Sequence, residues 1–542
     1  MKANCSAALI LVIALGAALP STATEPVQDR THGNADAITA QQIKDYLSFI
    51  ASDEMEGRFT PSRGLDTTAK FLSMNLSRWS LAPAGDPGSY FQHIALRCQT
   101  VDPATTYAEI GGKRFSYGKH LLAKPIAGRA SGPLAYAGSG WVIKPKVDPY
   151  KNLDVKDKLV LIIDTPLPND VSPEEVVGTE GADWERPANA LAKRGAKGII
   201  IIPNFQVLAN WDQILQEGLS KGDQVVERFA SQAKGKIPTV WASPGMLNTL
   251  LEGEEPGAAA LVRKAMSGDE CPPFLLNSHK ILTLNVGTVS SEVGTQNVVA
   301  TLRGSDPALR EEYVVIGAHY DHLGVDPTLK GDSVYNGADD NGSGTAAVLA
   351  MAEAFSKGPR PRRSILFIWH CGEERGLWGS MYFTQYPTIP LRQVVVELNI
   401  DMIGRTRAPA DANPSNRLLA GPGEVYLVGS AKLSNELHDI SEAVNRSYLN
   451  LAFNYRFDDP DDKHRFFYRS DHFSYAQKGI PIIFYMDGEH EDWHEPSDTA
   501  DKIDYQNMQK IVKTIYATAW ELANRANRPR VDRRLGEAAK EN

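Results

Sequence analysis

Cysteine is nearly absent from this chain: there are 4 in 542 residues, one of them Cys5 in the N-terminal apolar stretch. The other three, Cys98, Cys271 and Cys371, are an odd number. That excludes a disulfide framework and permits at most one intramolecular bridge. If one forms, Cys98–Cys271 is the pair open to it, because Cys371 sits in an apolar run beside an acidic pair; sequence gives no distances to decide it. An excess of positive charge is lacking too. Lys and Arg number 57 against 66 Asp and Glu, a formal charge of −9. A nucleic-acid binder needs a basic face, so that partner class is excluded. No apolar run reaches the ~20 residues of a membrane-spanning helix, and there is no repeat or low-complexity tract. What remains is globular composition, 42% hydrophobic and 23% charged. The chain is too long for one core, so two or more domains are expected.

The N-terminus reads as a secretory signal. Met1-Lys2 is a short positive start, Ala8 to Leu19 is apolar, and Ser21-Thr22-Ala23 supplies small residues before a cut. Residues 1–23 are therefore expected to be removed. The mature protein is expected to be exported, periplasmic or secreted, without stable membrane insertion. Residues 24–100 are read as the first part of the main unit, with helices over about 38–49, capped by Thr39, and about 64–79. Residues 101–280 change texture: short strand-like runs such as KLVLIID and AKGIIIIPN alternate with helical stretches. They are read as a smaller inserted α/β domain. The main unit resumes over 281–528, with ILTLNVGTV as its first strand and a last helix from about Tyr505 to Ala526. Residues 529–542 are a charged tail expected to fray.

In 281–528, apolar runs alternate with helical stretches. Runs this apolar argue a mostly parallel central sheet flanked by helices, an α/β fold. Five polar motifs follow such runs: GAHYD, GADDNGSG, CGEERG, LNIDM and DWHEPSD. Hard and borderline metal ligands at strand ends are how such a sheet assembles a metal site. His319 and Asp321 leave a strand end on the same face. Asp321 orients His319 or another group, or is itself a ligand. Asp340 lies in a glycine-rich turn entering a helix, placed to bridge two cations. Glu373 and Glu374 are adjacent carboxylates, which repel unless a cation or a proton intervenes. Asp401 ends an otherwise apolar run and needs a partner. His494 sits in a polar loop beside Trp493.

Taken together, His319, Asp340, Glu374, Asp401 and His494 give two cations three protein ligands each, with Asp340 shared. Open positions remain, as in a catalytic site. Glu373 is then the general base, later acid to a leaving amine. Two histidines among carboxylates favour two Zn2+ per chain. His322, Asp471 and His472 are set aside as ligands. His370 and Cys371 are read as strand residues, and Tyr468 and Arg469 as candidate oxyanion or carboxylate contacts.

GAHYDHLG, NGADDNGSG, GEERGLWGS, NIDMIG, YRSDHF and WHEPSDT together resemble the co-catalytic di-zinc exopeptidase family of bacterial leucyl aminopeptidases and glutamate carboxypeptidase. The resemblance is strongest over 297–505. It implies one zinc on His319 and Asp401, another on Glu374 and His494, and Asp340 as the bridge. It also implies Asp321 as a carboxylate behind the ligands, Glu373 as base and a cis peptide at Asp340–Asn341. The insert is similar to a protease-associated domain, expected to influence which peptides enter. The implied activity is removal of N-terminal residues from peptides. The alternatives are a carboxypeptidase or dipeptidase of the same family, a glutaminyl-cyclase-like acyltransferase, and an inactive receptor-like binding protein.

Overall fold

The apolar runs of the C-terminal half become the middle of a ten-stranded sheet. In this computed structural model the described residues are 32–535, except 169, 173–175, 177–179, 221, 231–235, 268–270 and 460–461. The predicted signal, 1–23, lies outside them. Four strands are parallel neighbours: Ser364–His370, Tyr313–His319, Val394–Ile400 and Ile482–Met486. Three of them are buried along their whole length, and Tyr313–His319 is buried from its second residue. This is the burial expected of strands covered by helices on both faces. Antiparallel strands flank them, including Phe91–Val101 and Thr288–Leu302 on one side and Glu424–Val428 on the other. The four-strand parallel run is thus the sheet's centre, where the site lies, with one further parallel pair, Glu424–Val428 and Ala452–Asn454, at the edge.

Helices Ala40–Ile50, Gly344–Lys357 and Tyr505–Asn524 share one apolar core with the sheet. Thr39 caps the first with a full capping box, as its sequence promises. Such a cap contributes ~1 kcal/mol. Gly344–Lys357 is nearly all small or aliphatic and is buried on every side through its first nine residues. That lets it lie against the strand ends and present the preceding turn to them. Among the described residues no helix is long and apolar enough to cross a membrane.

The insert forms a second, nine-stranded sheet. Its parallel centre is Gly128–Tyr136, Leu159–Ile163, Gly198–Ile202 and Thr239–Ala242, and it has apolar clusters of its own. Two boundaries move. Ile281–Val286, expected to reopen the main unit at 281, instead pairs antiparallel with Tyr107–Ile110 and Gly128–Tyr136 of the insert. Gly287 then separates it from Thr288, where the main sheet resumes. Conversely, Asp223–Val226, inside the expected insert, adds to the main sheet beside Phe91–Val101. Both pairings join segments distant in sequence, which periodicity alone does not report.

The bridge left open by the sequence is not formed: among the described residues Cys98, Cys271 and Cys371 are thiols. Cys98 lies on a main-sheet strand, whereas Cys271 packs against the apolar core of the insert. The charged tail is also not loose throughout. The Arg530 and Arg533 backbone N–H groups donate to Glu436 and to the Leu433 carbonyl, and Asp532 accepts from the Asn435 N–H. Residues 536–542 lie outside the described part.

Candidate active site

All five predicted ligands converge at the C-terminal ends of the parallel strands, the edge where open α/β sheets build their sites. His319 closes its strand, Asp401 follows Ile400, and Glu373-Glu374 follow the strand Ser364–His370. Asp340 sits in the tight turn Ala338–Ser343, with a cis Asp340–Asn341 peptide as the resemblance implied. The Asn341 side chain fastens this turn to the neighbouring strand end, donating to the Ile400 carbonyl and accepting from the Gly344 N–H. His494 hangs from the loop after Ile482–Met486, its backbone at φ 58°. Trp493 stacks on its ring with centroids 4.0 Å apart.

The geometry splits into two clusters that share Asp340. His319 Nε2 lies 3.3 Å from Asp340 Oδ1 and 3.2 Å from Asp401 Oδ1. His494 Nε2 lies 3.1 Å from Asp340 Oδ2 and 3.4 Å from Glu374 Oε2. Zinc bonds of ~2.0–2.1 Å in a tetrahedron set ligand atoms about 3.3 Å apart, so the spacings within each cluster suit zinc, and one oxygen of Asp340 faces each cluster. Ser470 Oγ donates to the other oxygen of Asp401 at 2.7 Å, and Trp493 Nε1 donates to Asp340 Oδ2 at 3.1 Å.

The charges are tuned by these contacts. Burial would raise the Asp340 carboxyl, but the hydrogen bonds from His319 and His494 hold it well below the carboxylate range. Burial would lower His494, but Asp340 and Glu374 hold it up at about 10. Burial and Asp340 push Glu374 up, and His322 and His494 bring it below its ordinary value. Glu373 behaves oppositely to its neighbour. Burial, with Glu374, Asp401 and Asp471 nearby, raises its carboxyl well above the usual range despite His319. Two adjacent carboxyls pushed apart in this way suit a ligand and a proton carrier.

The structure adds partners that the sequence did not give. His322, set aside as a loop histidine, is fully buried, and its Nδ1 lies 2.8 Å from Glu374 Oε1. With Asp340 and Glu374 it forms a second compact donor group beside that of His319, Asp340 and Asp401. Glu374 thus turns one oxygen to His322 and the other to His494. Asp321 faces both His319 and a second group, one of the alternatives its motif left open. The nearest atom it offers His319 Nδ1 is its backbone carbonyl at 3.3 Å, with the carboxylate at 3.7 Å. Its Oδ1 accepts the Glu373 N–H at 3.2 Å, so the side chain positions the base at least as much as the ligand. Asp498 Oδ2 accepts the N–H groups of Asp339 and Asp340. Asp498 and Ser470 lay within the motifs WHEPSDT and YRSDHF, but spacing could not show where they point.

Unlike His322, the buried residues His370, His472, Asp471 and Cys371 stay outside the two donor groups. His370 and His472 are buried, which brings both down to about 3 and keeps them neutral. Burial raises Asp471 to about 7, opposed by His319. Cys371 is fully buried and its thiol is pushed up by burial.

A cleft of about 360 Å³ opens onto this edge. Its lining runs from Asp340 to His494 in sequence and includes Leu377, Met402, Phe466, Phe484 and Met486 as an apolar wall. Tyr468, Arg469, Glu489 and Trp493 stand on the polar side, and Arg469 Nη2 bonds Glu489 Oε1 at 2.7 Å. Among the described residues none of the insert is in the lining.

A parallel-centred α/β sheet carrying this convergent donor set defines the zinc-aminopeptidase fold class. An aminopeptidase structure from Aneurinibacillus sp. strain AM-1 matches it with a TM-score of 0.51 at 17% identity, over 94% of this chain and 100% of the other. Residues 297–519 match the model of peptidase family M28. Among curated relatives, a "Probable zinc metalloprotease" of Leptosphaeria maculans is 30% identical over 44% of this chain and 59% of its own length. A "Probable leucine aminopeptidase" of Trichophyton verrucosum is 26% identical over 48% of this chain and 68% of its own. The chain spans little more than half the length of the zinc metalloprotease relatives.

Proposed function

We propose that the chain is an exported, two-zinc exopeptidase that removes N-terminal residues from peptides, with a preference for bulky apolar ones. The carrying observation is Asp340, which turns one oxygen to His319 and the other to His494. His319 and Asp401 would hold one ion and Glu374 and His494 the other, with Asp340 common to both. When bound, the ions supply Lewis-acid polarisation of the scissile carbonyl and lower the pKa of nearby water. Glu373 takes the proton of the attacking water and returns it to the leaving amine, a task its raised carboxyl suits. His322 fixes the rotamer of Glu374. Tyr468 lines the cleft, and its hydroxyl would donate to the developing oxyanion. Export rests on the N-terminal sequence pattern, and the likeness of the insert to a protease-associated domain on ALAKRGAKGIIIIPN.

The substrate terminus follows from charge. Arg469 is the one Arg or Lys among the described lining residues, and it is already tied to Glu489. That favours a substrate ammonium over a substrate carboxylate. The test is a peptide panel with either end blocked, in the presence of zinc. Acetylating the N-terminus should abolish cleavage and amidating the C-terminus should leave it. The reverse pattern would replace this reading with a carboxypeptidase. Within the panel, terminal Leu, Met or Phe should be cleaved faster than Asp or Gly, because the wall of Leu377, Met402, Phe466, Phe484 and Met486 rewards apolar burial.

A further inference from the structure

Resting on this reading of the metal ligands, we propose that Arg58, far from the motifs in sequence, is a positioning residue that sets the distance between the two ligand-bearing loops. Its side chain is fully buried. Nε donates to the Tyr320 carbonyl at 2.9 Å, between His319 and Asp321. Nη1 donates to the Asn336 carbonyl at 2.7 Å, and Nη2 to the Gly337 carbonyl at 2.9 Å, where the chain enters the turn of Asp340. A further bond from Nη1 reaches the Ile50 carbonyl at 2.8 Å, at the end of a core helix. The Arg58 carbonyl in turn accepts the His322 N–H at 3.2 Å. One planar fork therefore pins the backbone after His319, the backbone before Asp340 and the scaffold behind both.

Two features distinguish this from ordinary packing. The first is charge. All four acceptors are neutral carbonyls, an expensive way to bury a cation unless its field serves something nearby. Burial lowers the guanidinium to about 10, while Asp321, Asp340, Asp498 and Glu374 raise it, so it stays charged and faces the site's carboxylates. The second is backbone. Glu56, Gly57 and Arg58 lie in succession at φ 50°, 61° and 51°. Two of the three are not glycine, in a region that side chains rarely adopt. A Cβ on Gly57 would meet the Gly324 oxygen at 2.3 Å and the Tyr335 oxygen at 2.6 Å. The left-handed turn is thus clamped against the segment between the two ligand loops, with its arginine aimed inward.

A lysine would keep the charge but cannot reproduce the fork, and a methionine would keep only the bulk. The test compares the full-length wild type with Arg58→Lys and Arg58→Met. Each protein is stripped by chelator and its thermal unfolding recorded. Zinc is then titrated in competition with a chromogenic chelator, and the visible spectrum of the cobalt-loaded form is taken. We expect both variants to unfold cooperatively, to bind zinc about 10- to 100-fold more weakly, and to show altered cobalt spectra. We also expect kcat to fall while KM holds. Wild-type zinc affinity and cobalt spectrum in both variants would overturn the proposal. So would failure of both to fold, since Arg58 would then carry the scaffold and not the ligand geometry. A wild type that binds no zinc would instead overturn the metal reading itself, a separate and distinguishable failure.

Discussion

Among the described residues there are two sheets with parallel centres, and only one of them gathers a convergent donor set. In the insert, the polar residues at the strand ends are spent locally. Asn204 and Ser243 cap the helices that begin beside them, accepting the N–H groups of Val207 and Met246. Asp164 accepts the Trp241 indole N–H. In the main sheet the corresponding positions, His319, Glu373-Glu374 and Asp401, are aimed at one point, and Asp340 enters from the turn before its helix. The strand-end edge offers a place for chemistry, but the side chains decide whether it is used for capping or for convergence. A fold of this kind therefore does not announce its function until those ends are inspected.

Perturbations of the two edges should differ in kind. Asp340→Ala should have the largest effect, removing the oxygens common to both clusters and taking hydrolysis to background. Retention of even one tenth of the activity would break the contrast, because Asp340 would then be no more than a capping carboxylate. Glu373→Ala comes next. It should keep the metal and lose about 10²–10⁴-fold in kcat, and near-normal turnover would remove Glu373 as the base. A smaller effect concerns acid stability on the His494 loop. Burial raises Asp492, but bonds from Lys502, Ser497 and Arg405 bring it to about 2 in the folded state. Its unfolded value is near 3.9, so its contribution is complete above about pH 4 and is lost as the pH falls towards 2. Asp492→Asn should flatten the decline in stability across that window, and an unchanged acid limb would show that the triad is not formed. The smallest effect belongs to the insert. Ser243→Ala should cost ~0.5–2 kcal/mol of stability and leave kcat unchanged. A matching fall in kcat would mean that the insert edge reaches the chemistry after all.

How much of this was legible in the sequence follows the range of each interaction. Thr39 and the helix it caps were readable because a capping box is local. So were the ligand-bearing strand ends, because an apolar run closing on a charge is a local pattern. The strand pairings that redraw the insert boundary were not, because Ile281–Val286 and Asp223–Val226 find partners more than 100 residues away. His322 shows the same limit at shorter range. Its loop position gave no hint that its ring meets Glu374, 52 residues on. Asp321 was found, but its role depended on side-chain direction, and its carboxylate turned to the Glu373 N–H. Arg58 was invisible for both reasons: its partners are distant carbonyls, which carry no sequence signature.

The central claim is that Asp340 joins two metal sites at one sheet edge. Its most direct test is the zinc content of the full-length protein after exhaustive dialysis, measured by elemental analysis beside His494→Ala and His319→Ala. The account predicts two zinc ions per chain in the wild type, with each variant losing its own ion more readily than the other. A single zinc in the wild type, or variants indistinguishable from it in metal content, would contradict the account.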